Sequence, residues 1–507
     1  MENMEKALPP EGAAKPAQMP RQVYEQLPNG RVLLAGTWIL CLLLVNAASW
    51  PWGAGNTATV FAWYLFLLPA VGREALLRRR ESRVLLYGNL ILAATFALTS
   101  NPWFRWWNFL ALLVLVPIHT ASLFSGDLLP WWDPAMLIQR LRLLCGGLFC
   151  HLGAAPAALA AGRERRSLRL TVILGAAAAL ALVSVLLPVL ASADALFAAV
   201  TQGLVTLIRT HLARGLWKLF WALIWTPFLF GLLYCLRRVP AKAEIRPLPA
   251  MEGILFAIIL AALDGLYLLF LAVQSAGLFG GPDYLAQKGV SYAEWARSGF
   301  FQMVGVTIVN LTVTLAALTF SGREDRAWKP LRLLSALLAG ESLVLLASAA
   351  WRMTLYVSAY GLSFKRCMTY WGMVMMALFF LAAMWKIRKP DFGFCRLAFP
   401  LALAGWLAVN CVPVDLLVAR NQVDRYLAAE ALGGKPSISI DYLLHDLSYD
   451  TLPELARLDS RLTFFDSRDC DSVTLGERLR RRRTEAREEC SDWRSWSLSA
   501  CIAAGGV

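Results

Sequence analysis

The chain has 507 residues, of which 58% are hydrophobic and 17% charged, with a net charge of +14 and a mean hydropathy of +0.53. A soluble domain carries about 25% charged residues. This composition therefore excludes a disordered chain, a coiled coil and a disulfide-stapled secreted module. Lys and Arg cluster between apolar runs, as membrane orientation demands, so the basic balance does not point to nucleic acid.

Residues 1–31 are polar and read as a disordered N-terminal segment. Eleven apolar runs follow, near 32–50, 57–72, 84–100, 107–125, 170–190, 216–236, 251–274, 299–320, 333–350, 367–385 and 397–414. A spanning helix needs about 20 such residues. The expected fold is an all-α polytopic helical membrane protein of about 11 spans over 32–414. The first run is followed by Trp50-Pro51-Trp52 with no small-residue cleavage site, so it reads as a retained anchor. Residues 134–150 and 194–213 are amphipathic and read as interfacial or re-entrant helices. Residues 415–507 form a small extramembrane C-terminal region.

Orientation follows from the basic residues. With the N-terminus cytoplasmic, the inner segments hold 27 Lys and Arg and the outer loops 8. That places 73–83, 237–250, 321–332 and 386–396 in the cytoplasm, and the tail after Pro413 outside a cell (plasma or inner) membrane.

Two acids stand inside apolar runs, Asp264 in the seventh and Glu341 in the ninth. An intramembrane charge costs at least about 3 kcal/mol unless paired or protonated. The pair is either a proton or cation relay or a packing device. Counted from Met251 and Leu333, their depths differ by about 8 Å. A second cluster is expected at the outer face. Ser291 and Glu294 fit a capping box, and Glu294 and Arg297 share a helix face. Residues 352–366 form a polar hairpin with Arg352, Tyr356, Tyr360 and Arg366. Its arginines either grip phosphate or carboxylate or anchor a helix end by snorkelling. The stretches 284–298 and 352–366 are expected to meet at one membrane face.

In the tail, 437–441 reads as a short strand, Thr451 and Glu454 as a capping box, and 477–489 as a solvated helix. Cys470, Cys490 and Cys501 allow one disulfide outside the cell, with one thiol left over. The four His are scattered. No metal-ligand spacing and no Gly-rich nucleotide or nucleophile-elbow motif occurs, so no metal, cofactor or catalytic residue is assigned.

Three runs carry a family resemblance. Ser291 to Phe301 reads SYAEWARSGFF and resembles a TYAEYARRGFF run. Arg352 to Ser363 reads RMTLYVSAYGLS and is similar to RMxLYxxAYGLT. Asn421 to Tyr426, Asp441 to Leu444, Leu447 to Leu455 and Trp493 to Ser499 resemble the tail of the same family. That family is bacterial and catalogued as domain of unknown function 4173, related to group 4153. Trp295 stands where Tyr is usual, and Gln422 interrupts the tail pattern. The resemblance implies a multi-spanning membrane protein and supplies no reaction.

The function expected is an integral membrane protein handling a solute or sensing the envelope. Two alternatives stay open: a membrane-embedded enzyme acting on a lipid-linked substrate, and a membrane scaffold or assembly subunit. The expected partners are membrane lipids and an envelope protein bound through the tail, with no nucleic acid.

Overall fold

A computed structural model describes residues 29–47, 52–124, 136–160, 213–238, 251–279, 300–322, 324–433 and 438–505, with a few isolated positions besides. Nearly all of 1–31, most of 170–190 and 194–213, and the whole of 280–299 lie outside the described residues.

The helices in chain order are α1 Gly30–Ala47, α2 Ala54–Val71, α3 Arg73–Arg78, α4 Arg80–Leu98, α5 Pro102–Phe124, α6 Met136–Cys150, α7 Ala154–Ala160, α8 Ala213–Arg238, α9 Gly253–Phe279, α10 Phe300–Phe320, α11 Trp328–Tyr360, α12 Phe364–Arg388 and α13 Phe394–Cys411. The tail holds α14 Val414–Ala431, α15 Ile440–His445, α16 Leu452–Leu455, β1 Thr463–Asp466, β2 Asp471–Thr474, α17 Leu475–Ser491 and α18 Leu498–Ala503. The two strands form one antiparallel hairpin, with Thr463 opposite Thr474. The fold is all-α.

Among the described residues seven helices are long and apolar enough to cross a membrane: those within α1, α5, α8, α9, α11, α12 and α13. The chain is a multi-pass membrane protein. α6 and α7 meet at a 47° bend, the form of a broken span or re-entrant loop. Three further apolar runs form helices outside the seven. α10 contributes a shorter apolar stretch, Val304–Phe320. α2 and α4 carry polar residues that bond to their neighbours: Trp63 donates to Thr120 at 2.9 Å, Asn89 to Tyr64 at 2.8 Å and Thr57 to the Ala93 carbonyl at 2.6 Å. These hydrogen bonds add to the apolar contacts of Tyr64, Leu76 and Leu86 that also hold the group together.

The chain divides into two compact units. The first comprises residues up to 41 and 146–235, and its core gathers Leu34, Ala154, Ala155, Phe230 and Tyr234. The second comprises 42–145 and 236–507. Within it α9, α10 and α11 share a core of Leu260, Leu318, Leu338 and Leu345. α4 and α5 pack with α13 around Leu92, Phe96, Leu112 and Leu403.

The tail has its own core, including Val418, Leu443, Leu455, Leu475 and Ala500, which continues onto Phe104 and Phe364 at helix ends. Three loops meet it there. Ala54 donates to the Trp496 carbonyl at 2.9 Å, Asn101 to Asp415 at 2.7 Å, and Leu362 to Asn421 at 2.8 Å. These are three of the loops that the basic count groups on the tail's side. The loop 321–327 lies at the opposite end of α11.

Two local expectations in the tail are corrected. Ile440 to His445 is helical, so Asp441 does not lie in a strand. Thr451 caps nothing; its hydroxyl donates to the Leu443 carbonyl at 3.0 Å and the Ser448 carbonyl at 3.1 Å, inside a short 3₁₀ turn. The 477–489 stretch is helical as expected, within α17.

Candidate functional site: a buried acid pair between parallel helices

Asp325 fixes the start of two helices. Its Oδ2 accepts from the Gly253 N–H at 2.6 Å and its Oδ1 from the Ala327 N–H at 2.9 Å. One carboxylate thus satisfies free donors at the beginnings of both α9 and α11. These donors hold the Asp325 carboxyl below the ordinary carboxylate range, the Ala327 N–H first and then Gly253. The Met251 N–H bonds the Phe320 carbonyl at 2.9 Å, tying in the end of α10. α9 and α11 leave this point in the same direction, and α10 runs against them.

Asp264 stands 11 residues beyond Gly253, about 16 Å along its helix. Glu341 stands 13 residues beyond Trp328, about 20 Å along its own. The two levels therefore differ by about 4 Å rather than the 8 Å expected. In the sequence the ninth apolar run starts at Leu333. The helix begins five residues earlier, because Pro330 is tolerated in a first turn, where its missing N–H has no partner to lose.

Both acids face protein. Asp264 is 3% exposed and Glu341 4%. Neither carboxylate has a hydrogen-bond partner among the described residues, and each lies within the field of the other. α10 adds Asn310, which donates to the Ser342 hydroxyl at 2.9 Å. Tyr267 lies beside Asn310 and within the field of Glu341. The Asn310 carbonyl oxygen and the hydroxyls of Thr314 and Ser335 are also buried without a partner among the described residues. This three-helix wall offers oxygen acceptors, the donor set that suits a proton or a hard cation.

The outer-face cluster resolves differently. The expected hairpin narrows to residues 361–363, since Arg352, Tyr356 and Tyr360 continue α11. Gly361 ends that helix at φ +75° and ψ 179°, a region open essentially to Gly alone. A Cβ there would also meet Gln422 Nε2 at 2.7 Å. The Arg366 guanidinium donates to the carbonyls of Tyr360 and Gly361 and lies over the Tyr356 ring, 4.3 Å from its centroid. Three residues of α14 complete the clamp. Asn421 accepts from Leu362, Gln422 donates to the Leu362 carbonyl at 2.6 Å, and Arg425 donates to the Ser358 and Ala359 carbonyls at 2.9 and 2.8 Å. Two of the family-like runs thus meet as a helix-end cap. Arg352 is buried within α11. Glu294 and Arg297 lie outside the described residues.

Other clusters escaped the sequence reading because their members are far apart in the chain. His119 bonds Tyr64 at one ring nitrogen and Ser82 at the other, both at 2.9 Å, and so is held between α2 and α4. Asn108 donates to Asn410 at 2.7 Å and accepts from Trp406 at 2.7 Å. In the tail, ligand atoms of Asp441, His445 and Asp466 lie within 4.8 Å of one another. Arg478 already pairs with Asp466 at 2.5 Å, and the Ser467 N–H and hydroxyl occupy Asp441 Oδ1. A guanidinium in that position opposes a cation, and the cluster reads as an ion-pair network. Cys490 and Cys501 form a disulfide, and Cys470 remains as an exposed free thiol.

No curated protein and no solved structure matches the chain. The family described as a domain of unknown function, DUF4153, matches residues 86–458, a stretch that contains the acid pair and both halves of the helix-end clamp. The chain belongs to the DUF4153 family.

Proposed function

We propose that this protein handles a solute across a cell membrane, coupled to a proton or monovalent cation taken up between Asp264 and Glu341. The observation that carries this reading is the absence of any hydrogen-bond partner for either buried carboxylate among the described residues. An isolated ionised carboxylate in an apolar interior is far too costly to persist. Two acids at nearly one depth share a proton or hold a cation instead. A site near mid-depth, walled by oxygen atoms from three helices, is where ion-coupled membrane proteins place their ions.

The proposed topology has a cytoplasmic N-terminus and an extracytoplasmic tail, in an inner or plasma membrane. Basic residues favour the cytoplasmic side, and the tail's disulfide fits an oxidising compartment. The SYAEWARSGFF and RMTLYVSAYGLS runs support a place near the 4173 branch of the wider family, and with it a bacterial source. An enzymatic role at the outer face finds less support, because Arg366 is engaged with backbone carbonyls and an aromatic ring.

Proton flux into proteoliposomes tests the reading. A pH-sensitive dye trapped inside should report uptake driven by a sodium or proton gradient. Asp264→Asn and Glu341→Gln should each abolish it while the protein still elutes as a folded species. Full flux in the double variant would remove the pair from the mechanism.

A further inference from the structure

We propose that a cavity on the tail side of the membrane binds the zwitterionic headgroup of an aminophospholipid, with the phosphate on Arg105 and the ammonium on Glu489. The cavity encloses about 510 Å³ between the start of α5, the 445–449 turn and α17. Its size exceeds that of a single amino acid and suits a headgroup with part of its glycerol.

Arg105 is 3% exposed, yet it lines this space. Its Nε donates to the Thr99 carbonyl at 2.9 Å and its Nη2 to the Phe96 carbonyl at 3.4 Å. These bonds hold the guanidinium in place. No carboxylate lies within ion-pair distance of it among the described residues. A buried guanidinium is costly unless an anion answers it.

Glu489 stands in the opposite condition. One oxygen accepts from the Tyr449 hydroxyl at 2.9 Å; the other is buried without a partner among the described residues. Glu488 adds a second carboxylate to the same wall. Arg105 and Glu489 both line the cavity and lie within each other's fields without forming an ion pair. Arg482, the basic residue of α17 that lines the cavity, is taken up by Glu485 at 2.9 Å and by the Tyr449 ring. The exposed Arg468 also lines the cavity and donates to the His445 carbonyl at 3.3 Å. The buried open cation is thus Arg105, toward the membrane, facing carboxylates of the tail. A dipolar ligand spanning the gap answers both at once.

The depth fits a lipid. Pro102 lines the cavity, and the adjoining Trp103, Trp106 and Trp107 are 38%, 51% and 46% exposed. Exposed Trp at a spanning helix end marks the headgroup layer. The ammonium must donate N–H bonds to carboxylates, so a primary amine fits and a quaternary one does not.

The test uses the full chain in detergent and short-chain lipids as probes. Binding of dihexanoyl phosphatidylethanolamine is compared with the phosphatidylcholine and phosphatidylglycerol analogues, with free O-phosphoethanolamine and with glycylglycine. The ethanolamine lipid should bind at least tenfold more tightly than either other lipid and than both free zwitterions. Glu489→Gln, which keeps an acceptor for Tyr449, should reduce that binding at least tenfold, as should Arg105→Gln where it folds. Arg457→Gln, away from the cavity, should bind as the unaltered chain does. Equal binding of the three lipids, or unchanged binding in Glu489→Gln, overturns the proposal. Tighter binding of a free zwitterion than of the lipid also overturns it, since the ligand would then come from the aqueous phase.

Discussion

Asp264 and Glu341 face one another's fields from parallel helices whose first turns are tied to a single carboxylate, that of Asp325. The acids owe their common depth to that tie. A half-buried loop residue therefore sets the geometry of a buried site.

Replacing Asp325 should be felt at that site. Asp325→Ala removes acceptors for two helix-start donors and frees α9 to slide or fray against α11. The expected result is a lower apparent Tm, with a smaller loss in Asp325→Asn, which keeps one acceptor. The folded carboxyl titrates below its unfolded value. Its stabilising effect is then present above the unfolded pKa and is lost as pH falls through the folded one. Thermal melts of the parent and Asp325→Asn across the acid range should converge at low pH.

Gly361→Ala should destabilise by about 1–3 kcal/mol, the cost of forcing a side chain into a Gly-only backbone region. Arg425→Ala should act in the same direction by exposing the Ser358 and Ala359 carbonyls. Protease cleavage near 358–363 should rise in both variants. A Gly361→Ala protein as stable as the parent would show that the clamp does not hold the turn.

Asp415 gives a pH signature of opposite sign. Burial pushes its carboxyl up, against hydrogen bonds from Ser448 and Asn101. The folded state therefore holds this proton more tightly than the unfolded chain. Stability should fall as pH rises from the unfolded carboxylate range toward the folded pKa. Asp415→Asn keeps an acceptor and should flatten that dependence in denaturation curves measured across mildly acidic pH.

The topology can be read chemically in intact cells. Cys470 is exposed and Cys490 is joined to Cys501. An impermeant maleimide should label Cys470 without lysis, and a cysteine placed in 321–332 only after it. Reduction should free two further tail thiols and cost roughly 3 kcal/mol of tail stability, the loop-closure value for a short loop. Labelling of 321–332 in unbroken cells would reverse the orientation.

Seven of the eleven expected spans were legible because apolar runs between basic loops are a local signal. The acids were legible because a charge inside such a run stands out. Their common level was not, since it depends on a helix start at Trp328 that Lys329 and Pro330 disguise. Arg366 stays open in the sequence between a ligand grip and a helix-end anchor, because sequence cannot tell a free guanidinium from one spent on carbonyls five or six residues away. Arg105 carries no signal in the sequence, as the lone base in a short loop. Its partners lie in its own preceding turn, and the cavity it lines is closed by residues more than three hundred positions later.

The central claim is that Asp264 and Glu341 take up a proton or a cation as a pair. Difference infrared spectroscopy of the reconstituted protein reads this directly, through the carbonyl band of a protonated carboxyl. The band should titrate with pH, weaken when sodium or potassium competes for the site, and disappear in the Asp264→Asn, Glu341→Gln double variant. A band that ignores pH and cations, or that persists unchanged in the double variant, would contradict the account.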